Sequence, residues 1–202
     1  MPIVMPTEDN TRGVICGIDP GSMHCGLSAL TVAWTTWTVC GLEAQTYTPP
    51  IHLGLREVDE PLDRYARISY LQERLIAAFH HYRPALIYCE SPFYNRLRPG
   101  AYAVLVECVY SVRLAAAQYD PSVRFGVYEP SVVKKTVGAT AHGTKIAVKD
   151  ALFLIDDLKP WLGDAYSCTL DEHSLDAIAV AYTHVMKMRH QLMMPNTAYS
   201  TT

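Results

Sequence analysis

Three strand-like runs precede the first helical pattern in this sequence. They lie at residues 13–18, 26–33 and 35–47, and the second and third are rich in Val, Thr, Leu and Trp. β-Branched and aromatic residues in short runs bounded by turn residues are typical of strands. Strands that follow one another directly along the chain favour an antiparallel meander, because short turns suffice to connect them.

Helix-like and strand-like segments alternate after this meander. The helical segments are 61–82, 100–117, a short one from Pro130, 144–154 and 170–190, and the strands between them are 85–89 and 123–128. In the first helix, apolar residues recur every three or four positions, which is the spacing of one helix face. This order predicts an α/β fold with a mixed sheet, in which three antiparallel strands are followed by two parallel strands and flanked by helices. Order alone leaves several folds of this kind open.

The composition supports one folded domain. Half of the 202 residues are hydrophobic and 18% are charged, as in ordinary globular proteins. We expect the domain to span 13–190, between a flexible N-terminal arm at 1–12 and a frayed tail at 191–202. The sequence has no apolar stretch of the roughly 20 residues that a membrane span needs, and it does not begin with a secretion-signal pattern. We therefore expect a cytoplasmic protein.

Cysteine spacing argues against a zinc site or a disulfide framework. The six cysteines include no Cys-x-x-Cys pair, and several lie inside apolar runs. Such residues are typically buried free thiols in a reducing compartment.

The net charge of −3 conceals an uneven distribution. Residues 91–149 contain eight Lys and Arg against three Asp and Glu, so the rest of the chain is acidic. This pattern fits a cationic groove beside an acidic centre. Charges scattered over a solvated surface would give the same count.

Three acidic residues from distant parts of the chain lie beside apolar structure. Asp19 and Glu90 each follow an apolar strand, and Asp176 lies among Ala, Ile and Val in the last helix. A buried carboxylate needs a partner, and Mg²⁺ is a good one because it prefers oxygen ligands. Two such ions can activate a water and stabilise the leaving oxygen of a phosphodiester. The alternatives are a turn-stabilising Asp19, a Glu90 that caps the following loop, and a solvent-facing Asp176.

His173 is a fourth candidate for the same site. It precedes Asp176 by three positions, so both can share one helix face. A histidine can ligate a metal or transfer a proton near neutral pH. An ordinary surface histidine at the start of a helix is the alternative.

Five short segments, in order, resemble motifs of the RuvC-type Holliday junction resolvases. They are Gly17–Ser22 (GIDPGS), Glu90–Phe93 (ESPF), Val133–Gly138 (VKKTVG), Gly143–Lys145 (GTK) and Asp176–His184 (DAIAVAYTH). The resemblance extends from about Gly13 to His184, most of the chain. Sugar kinases and actin-like ATPases have turns similar to GIDPG alone, whereas the ordered set is specific.

The resemblance implies an RNase H-like fold, a homodimer and paired magnesium-dependent cuts at four-way DNA junctions. It implies that Asp19, Glu90 and Asp176 hold two Mg²⁺ ions, with Mn²⁺ as a substitute. Some members have an aspartate and others a histidine at the position of His173, which implies a metal ligand or a proton carrier. The divergence of this chain from the motifs fits a viral or organellar member of the family.

The resemblance also implies how DNA is held. Phe93 would stack on a junction base, Lys134 and Lys135 would bind phosphates, and Lys145 would bind phosphate and stabilise its charge during catalysis. A core aromatic residue and solvated lysines are the alternatives.

Two departures leave the sequence preference at the cut open. Met23 stands where many members have a basic residue, and the 155–171 stretch is longer and more acidic than expected. Three other functions remain as alternatives: an RNase H-like nuclease acting on another branched DNA or on structured RNA, an ATP-binding protein of the actin and sugar-kinase class, and a junction-binding protein without catalysis. The ATP-binding class needs a second glycine-rich phosphate loop, which the sequence lacks.

Overall fold

The structure is a computed structural model of the 202-residue chain. It describes residues 11–50, 60–94, 96, 99–139, 145–163 and 169–194, without the side chains of 60–62, 145 and 146. The strands are β1 (Arg12–Asp19), β2 (Cys25–Ala33), β3 (Thr38–Tyr47), β4 (Leu86–Glu90) and β5 (Arg124–Tyr128). The helices are α1 (Glu60–Tyr82), α2 (Pro99–Tyr119), α3 (Pro130–Thr136), α4 (Lys145–Leu154) and α5 (Glu172–Met193).

The five strands form one mixed sheet in the order β3-β2-β1-β4-β5. β1 pairs antiparallel with β2, and β2 with β3, whereas β4 joins β1 in parallel and β5 joins β4 in parallel. The predicted fold class is therefore confirmed. Ile18 of β1 lies opposite Cys89 of β4, so the acidic residues that follow them leave the sheet at the same edge.

Each face of the sheet carries its own hydrophobic core. Ile15, Leu30 and Ile178 belong to the core between the sheet and helices α3, α4 and α5. Cys16 and Phe79 belong to the core on the other face, which α1 and α2 cover. Neighbouring residues of β1 alternate between the two cores, because successive side chains of a strand point to opposite faces.

Two glycines let the start of α5 approach the sheet closely. A Cβ atom on Gly17 would overlap the carbonyl oxygen of Ala177, and one on Gly26 would overlap that of His173. Ser28 adds a buried hydrogen bond from its hydroxyl to the Ala177 carbonyl, at 2.8 Å. Larger residues would push the first turns of α5 away from β1 at Gly17 and away from β2 at Gly26.

The structure corrects two predicted boundaries. β1 begins at Arg12, so this residue is part of the sheet rather than of the arm. α5 continues to Met193, so the predicted tail begins with helical residues. The remaining parts of the arm, 1–10, and of the tail, 195–202, lie outside the described residues.

The acidic 155–171 stretch is attached to α5 through Asp157. This carboxylate forms an ion pair with Arg189 and accepts a hydrogen bond from the Tyr182 hydroxyl at 3.2 Å. Arg189 also donates from Nε to the Trp37 carbonyl at 2.9 Å, which joins the stretch to the β2–β3 turn. Asp157 therefore links the segment after α4 to α5 and, through Arg189, to the β2–β3 turn.

The described cysteines are free thiols, as the sequence predicts. Cys16, Cys25, Cys89 and Cys108 are buried and Cys40 is partly buried, whereas Cys168 lies outside the described residues. Burial raises the pKa of the Cys108 thiol to about 12, so this group is a poor nucleophile.

Candidate active site

A cleft of about 750 Å³ opens at the edge of the sheet where β1 and β4 end. Its lining includes the four acidic and histidine residues that the sequence singled out, namely Asp19, Glu90, His173 and Asp176. The fold therefore brings together residues from β1, β4 and the first turns of α5.

Asp19 and His173 are in direct contact. Nδ1 of His173 lies 2.7 Å from Oδ2 of Asp19, and their side chains are only 22% and 15% exposed. The start of α5 is held in place by Asp171, which accepts a hydrogen bond from the backbone N–H of Ser174 at 2.9 Å. The Thr46 hydroxyl of β3 donates to the same Asp171 carboxylate at 2.5 Å. The helix start that carries His173 is thereby tied to the edge strand.

The raised pKa of Glu90 shows that negative charge is concentrated in the cleft. Burial and the charges of Asp19 and Asp176 raise the pKa of Glu90 to about 8, and Lys134 opposes this rise. Carboxylates that share a poorly solvated site disfavour one another's charged forms. A bound cation would relieve this repulsion.

The chemistry of these side chains fits divalent cations with a preference for oxygen ligands. Among the described residues, no three carboxylate, imidazole or thiol groups stand ready to ligate one ion as they are placed. One oxygen of Asp19 is engaged by His173. The side chains of the cleft lining that could ligate an ion are those of Asp19, Glu90, Glu129, His173 and Asp176.

The predicted phosphate-binding lysines occupy different places. Lys134 of α3 lines the cleft. Lys135 is exposed on the same helix and does not line the cleft. Lys145 is the first residue of α4, and its side chain lies outside what the structure describes.

Phe93 lines the cleft and is exposed. Its side chain is 52% exposed and the adjacent Tyr94 is 63% exposed, which excludes a core role for Phe93. Tyr94 packs edge-on against Tyr102 of α2, with ring centroids 5.8 Å apart. The cleft lining therefore includes one exposed aromatic ring, that of Phe93, and the adjacent Tyr94 packs against α2.

Sequence reasoning missed two residues at this site. Glu129 lines the cleft and directly follows β5, as Glu90 ends β4, so the same strand-end pattern could have identified it. His24 lies with its ring stacked on His173 at a centroid distance of 5.1 Å. No spacing pattern in the sequence predicts the contact between His24 and His173, because it depends on how α5 docks on the sheet.

His184, the last residue of the DAIAVAYTH motif, lies outside the cleft lining. Its ring stacks on Tyr88 at 4.1 Å between centroids, and Nδ1 lies 2.8 Å from the Tyr128 hydroxyl. Burial, with Lys187 and Arg124 nearby, lowers the pKa of His184 to about 4. This histidine is a neutral packing residue near pH 7.

A five-stranded sheet of this order, with helices on both faces and acidic residues at the ends of β1 and β4 and on α5, is an RNase H-like fold. No protein-family model matches the chain. It is 27% identical over 172 residues to the crossover junction endodeoxyribonuclease RuvC of Dehalococcoides mccartyi, covering 84% of this chain and 90% of the relative. It is 26% identical to the enzyme of the same name from Thermus thermophilus, covering 87% and 95%.

The fold agrees with these sequence comparisons. The structure of T. thermophilus RuvC in complex with a Holliday junction substrate superimposes with a TM-score of 0.67 at 23% identity, covering 89% of this chain and 96% of that one. The chain is RuvC-like in sequence and in fold, as its motifs predicted.

Proposed function

We propose that this chain is a structure-specific endonuclease that resolves four-way DNA junctions by divalent-cation-dependent phosphodiester hydrolysis. The observation that carries the proposal is the cleft in which Asp19, Glu90, Asp176 and His173 meet, in a chain whose curated relatives are RuvC enzymes.

We assign separate roles in this reaction to the residues of the cleft. Asp19, Glu90 and Asp176 would hold two Mg²⁺ ions, with His173 as a further ligand or as a proton carrier. When bound, the ions supply Lewis-acid activation of water and stabilise charge on the leaving oxygen. Nδ1 of His173 lies 2.7 Å from Oδ2 of Asp19, and Nε2 lies 3.5 Å from Oε1 of Glu172, so both ring nitrogens face a carboxylate. In the neutral tautomer whose Nδ1–H donates to Asp19, Nε2 would be the atom that takes a proton.

The rim of the cleft would bind and orient the DNA. Lys134 provides a positive charge for a phosphate beside the carboxylates. Lys135 and Lys145 remain candidates for further phosphate contacts. Phosphate contacts place the backbone but carry no sequence information, so we expect junction shape to dominate recognition.

The direct test is incubation of an end-labelled four-way junction with the protein, with and without Mg²⁺. We expect symmetric nicks on opposing strands that require the metal, and no cutting of a linear duplex of the same sequence. A matched RNA junction is the second substrate. If RNA is cut and DNA is not, the chain is an RNase H-like nuclease with a different substrate.

Paired cutting needs two active sites, and α2 offers a surface for a second copy of this chain. Tyr102, Val106, Tyr110 and Leu114 are exposed at intervals of four residues, so they form one apolar stripe along the helix. α2 is also the one described helix long and apolar enough to cross a membrane by length and composition. A helix that packs one face on α1 and the other face on a partner subunit would be as apolar as a membrane-spanning helix.

Val106→Glu should convert the homodimer into a monomer, because it places a charge in the centre of the apolar stripe. Light scattering coupled to gel filtration measures this change. Leu154→Glu is the matched control, since Leu154 is an exposed apolar residue of α4 outside the stripe. A Val106→Glu protein that keeps the mass of the wild type would place the dimer contact elsewhere.

Phe93→Ala should weaken productive junction engagement more than it weakens the fold. Stacking on a base is worth about 1–3 kcal/mol, which corresponds to a loss in affinity of roughly 5- to 150-fold. Because Phe93 is half exposed, the melting temperature should change little. Phe93→Trp keeps a stacking ring and should retain binding. A large fall in melting temperature with unchanged cleavage would show that Phe93 only stabilises the protein.

Glu90 should make the stability of the metal-free protein depend on pH. Its folded-state pKa, about 8, lies above its usual value of 4.5, so the folded state keeps a proton that the unfolded state loses. The free energy of unfolding should therefore fall as pH rises from about 4.5 to about 8, by a few kcal/mol or on the order of 10 °C in melting temperature.

Thermal melts in EDTA across this pH range measure the effect. Glu90→Gln should flatten the curve, because the amide does not titrate. Adding Mg²⁺ at pH 8 should restore stability to the wild type by neutralising the repelling carboxylates. Parallel curves for the wild type and Glu90→Gln would show that Glu90 does not carry the excess proton.

A further inference from the structure

We propose that His24 is a positioning residue for His173, an inference that rests on the proposed nuclease function. The two imidazoles are stacked, with centroids 5.1 Å apart and ring planes 23° from parallel. This separation and tilt are those of favourable offset aromatic pairs. His24 therefore covers one face of the ring whose Nδ1 contacts Asp19.

His24 is itself held from two sides. Its Nδ1 lies 3.0 Å from the Thr48 hydroxyl, just beyond the end of β3. The backbone of His24 lies in the tight turn between β1 and β2. A Cβ atom on Gly21 would overlap the His24 carbonyl oxygen, so this turn depends on the glycine. The contact with Thr48 holds the ring and the tight turn places the backbone, although His24 is exposed.

Several contacts together define the orientation of His173, and one of them joins its Nε2 to Oε1 of Glu172 at 3.5 Å. Asp19 binds its Nδ1, His24 covers one face, and Asp171 caps the helix turn from which it projects. Without His24, this face of the ring would lose its stacking partner, and rotation about the side-chain torsions would disturb the contacts of both ring nitrogens. The direction in which Nε2 faces would then no longer be fixed.

His24 therefore acts through His173, and this distinguishes it from a residue that binds DNA. A DNA contact by the exposed imidazole of His24 would contribute to junction affinity whether or not His173 is present. A positioning contact would contribute to the rate of cleavage and vanish when His173 is removed. Non-additivity of two substitutions is the signature of such coupling.

The experiment compares His24→Ala, His24→Phe and Thr48→Val, each alone and with His173→Ala. We expect His24→Ala to lower the single-turnover rate of junction cleavage by about tenfold, as small misplacements of catalytic groups do. Junction affinity in EDTA should stay within about twofold, and His24→Phe, which keeps a stacking ring, should recover most of the rate. In the His173→Ala background, His24→Ala should have no further effect. Thr48→Val should cause a smaller loss in the same direction.

Two readouts without DNA separate this inference from the nuclease function. The ¹⁵N resonances of the His173 ring report whether Nδ1 or Nε2 carries the proton, and Mn²⁺ titration followed by electron paramagnetic resonance reports metal affinity. We expect His24→Ala to mix the His173 tautomers and weaken Mn²⁺ binding, with His80→Ala, an exposed histidine of α1, unchanged. These readouts test the positioning even if the wild type fails to cut junctions, a result that would overturn only the nuclease proposal.

Three results would overturn the role of His24. The first is an additive loss in the double variant His24→Ala and His173→Ala. The second is weakened junction binding in EDTA that His24→Lys restores and His24→Phe does not, which would make His24 a phosphate contact. The third is an unchanged tautomer signature of His173 in His24→Ala.

Discussion

Asp19→Asn should abolish metal-dependent junction cleavage and leave junction binding intact. Asparagine has nearly the same shape as aspartate and can still accept a hydrogen bond from Nδ1 of His173, but it lacks the negative charge. We expect a loss of about a thousandfold or more in the single-turnover rate, the scale on which preorganised electrostatic contacts contribute to catalysis. The fold should be retained, since Asp19 is at the end of β1 and outside both hydrophobic cores.

The charge of Asp19 also acts on Glu90, which provides a second measurement. Because the Asp19 carboxylate helps to raise the pKa of Glu90, Asp19→Asn should lower that pKa and reduce the pH dependence of stability in EDTA. Asp150→Asn, an exposed aspartate of α4, is the matched control for both measurements. A variant Asp19→Asn that cuts at the wild-type rate would remove Asp19 from the catalytic centre, and a large loss of stability alone would make it a turn-stabilising residue.

The sheet could be predicted because its signals are local. Each strand is a short run of β-branched and apolar residues, and the three first strands need only turns between them. The parallel placement of β4 and β5 could be predicted because a helix precedes each of them, whereas the order of the strands within the sheet was not predicted. The exact ends were less certain, since Arg12 and the last turn of α5 carry polar residues that gain their structure from neighbouring elements.

The four central site residues were predictable for a related reason. Asp19 and Glu90 end two parallel neighbouring strands, and such strand ends meet at one edge. His173 and Asp176 are three positions apart on α5, so one helix face carries both. These four residues meet if α5 lies across that edge. The long apolar face of α5 favours this placement, because it must pack on the sheet.

The contacts that hold this site could not be predicted from spacing. The stack of His24 on His173 and the bond from Thr46 to Asp171 each join residues more than 100 positions apart in the chain. They depend on a docking distance that Gly17 and Gly26 permit. Glycine in a strand is a weak signal by itself, because it indicates a close approach without naming the partner.

His173→Ala should lose most of the cleavage activity, and His173→Asp should recover part of it. Removing a group that ligates a metal or transfers a proton slows a reaction by about a hundredfold or more. An aspartate at this position offers oxygen ligands that suit Mg²⁺ and Mn²⁺. The new carboxylate would lie beside Asp19, and the two negative charges would repel each other. The recovery of activity should therefore be greater when the metal concentration is high enough to screen this repulsion.

The pH dependence of these three proteins distinguishes a catalytic histidine from a surface one. A second proton on the ring occupies Nε2, and a protonated imidazole can neither ligate a metal nor accept a proton. The wild-type rate should therefore fall on the acid side, His173→Ala should be slow throughout, and His173→Asp should lose part of the acid-side fall because a carboxylate near a cation stays ionised. Single-turnover cleavage measured from about pH 5.5 to 9 gives the three profiles, with His80→Ala expected to follow the wild type. Superimposable profiles for the three proteins would remove His173 from the mechanism.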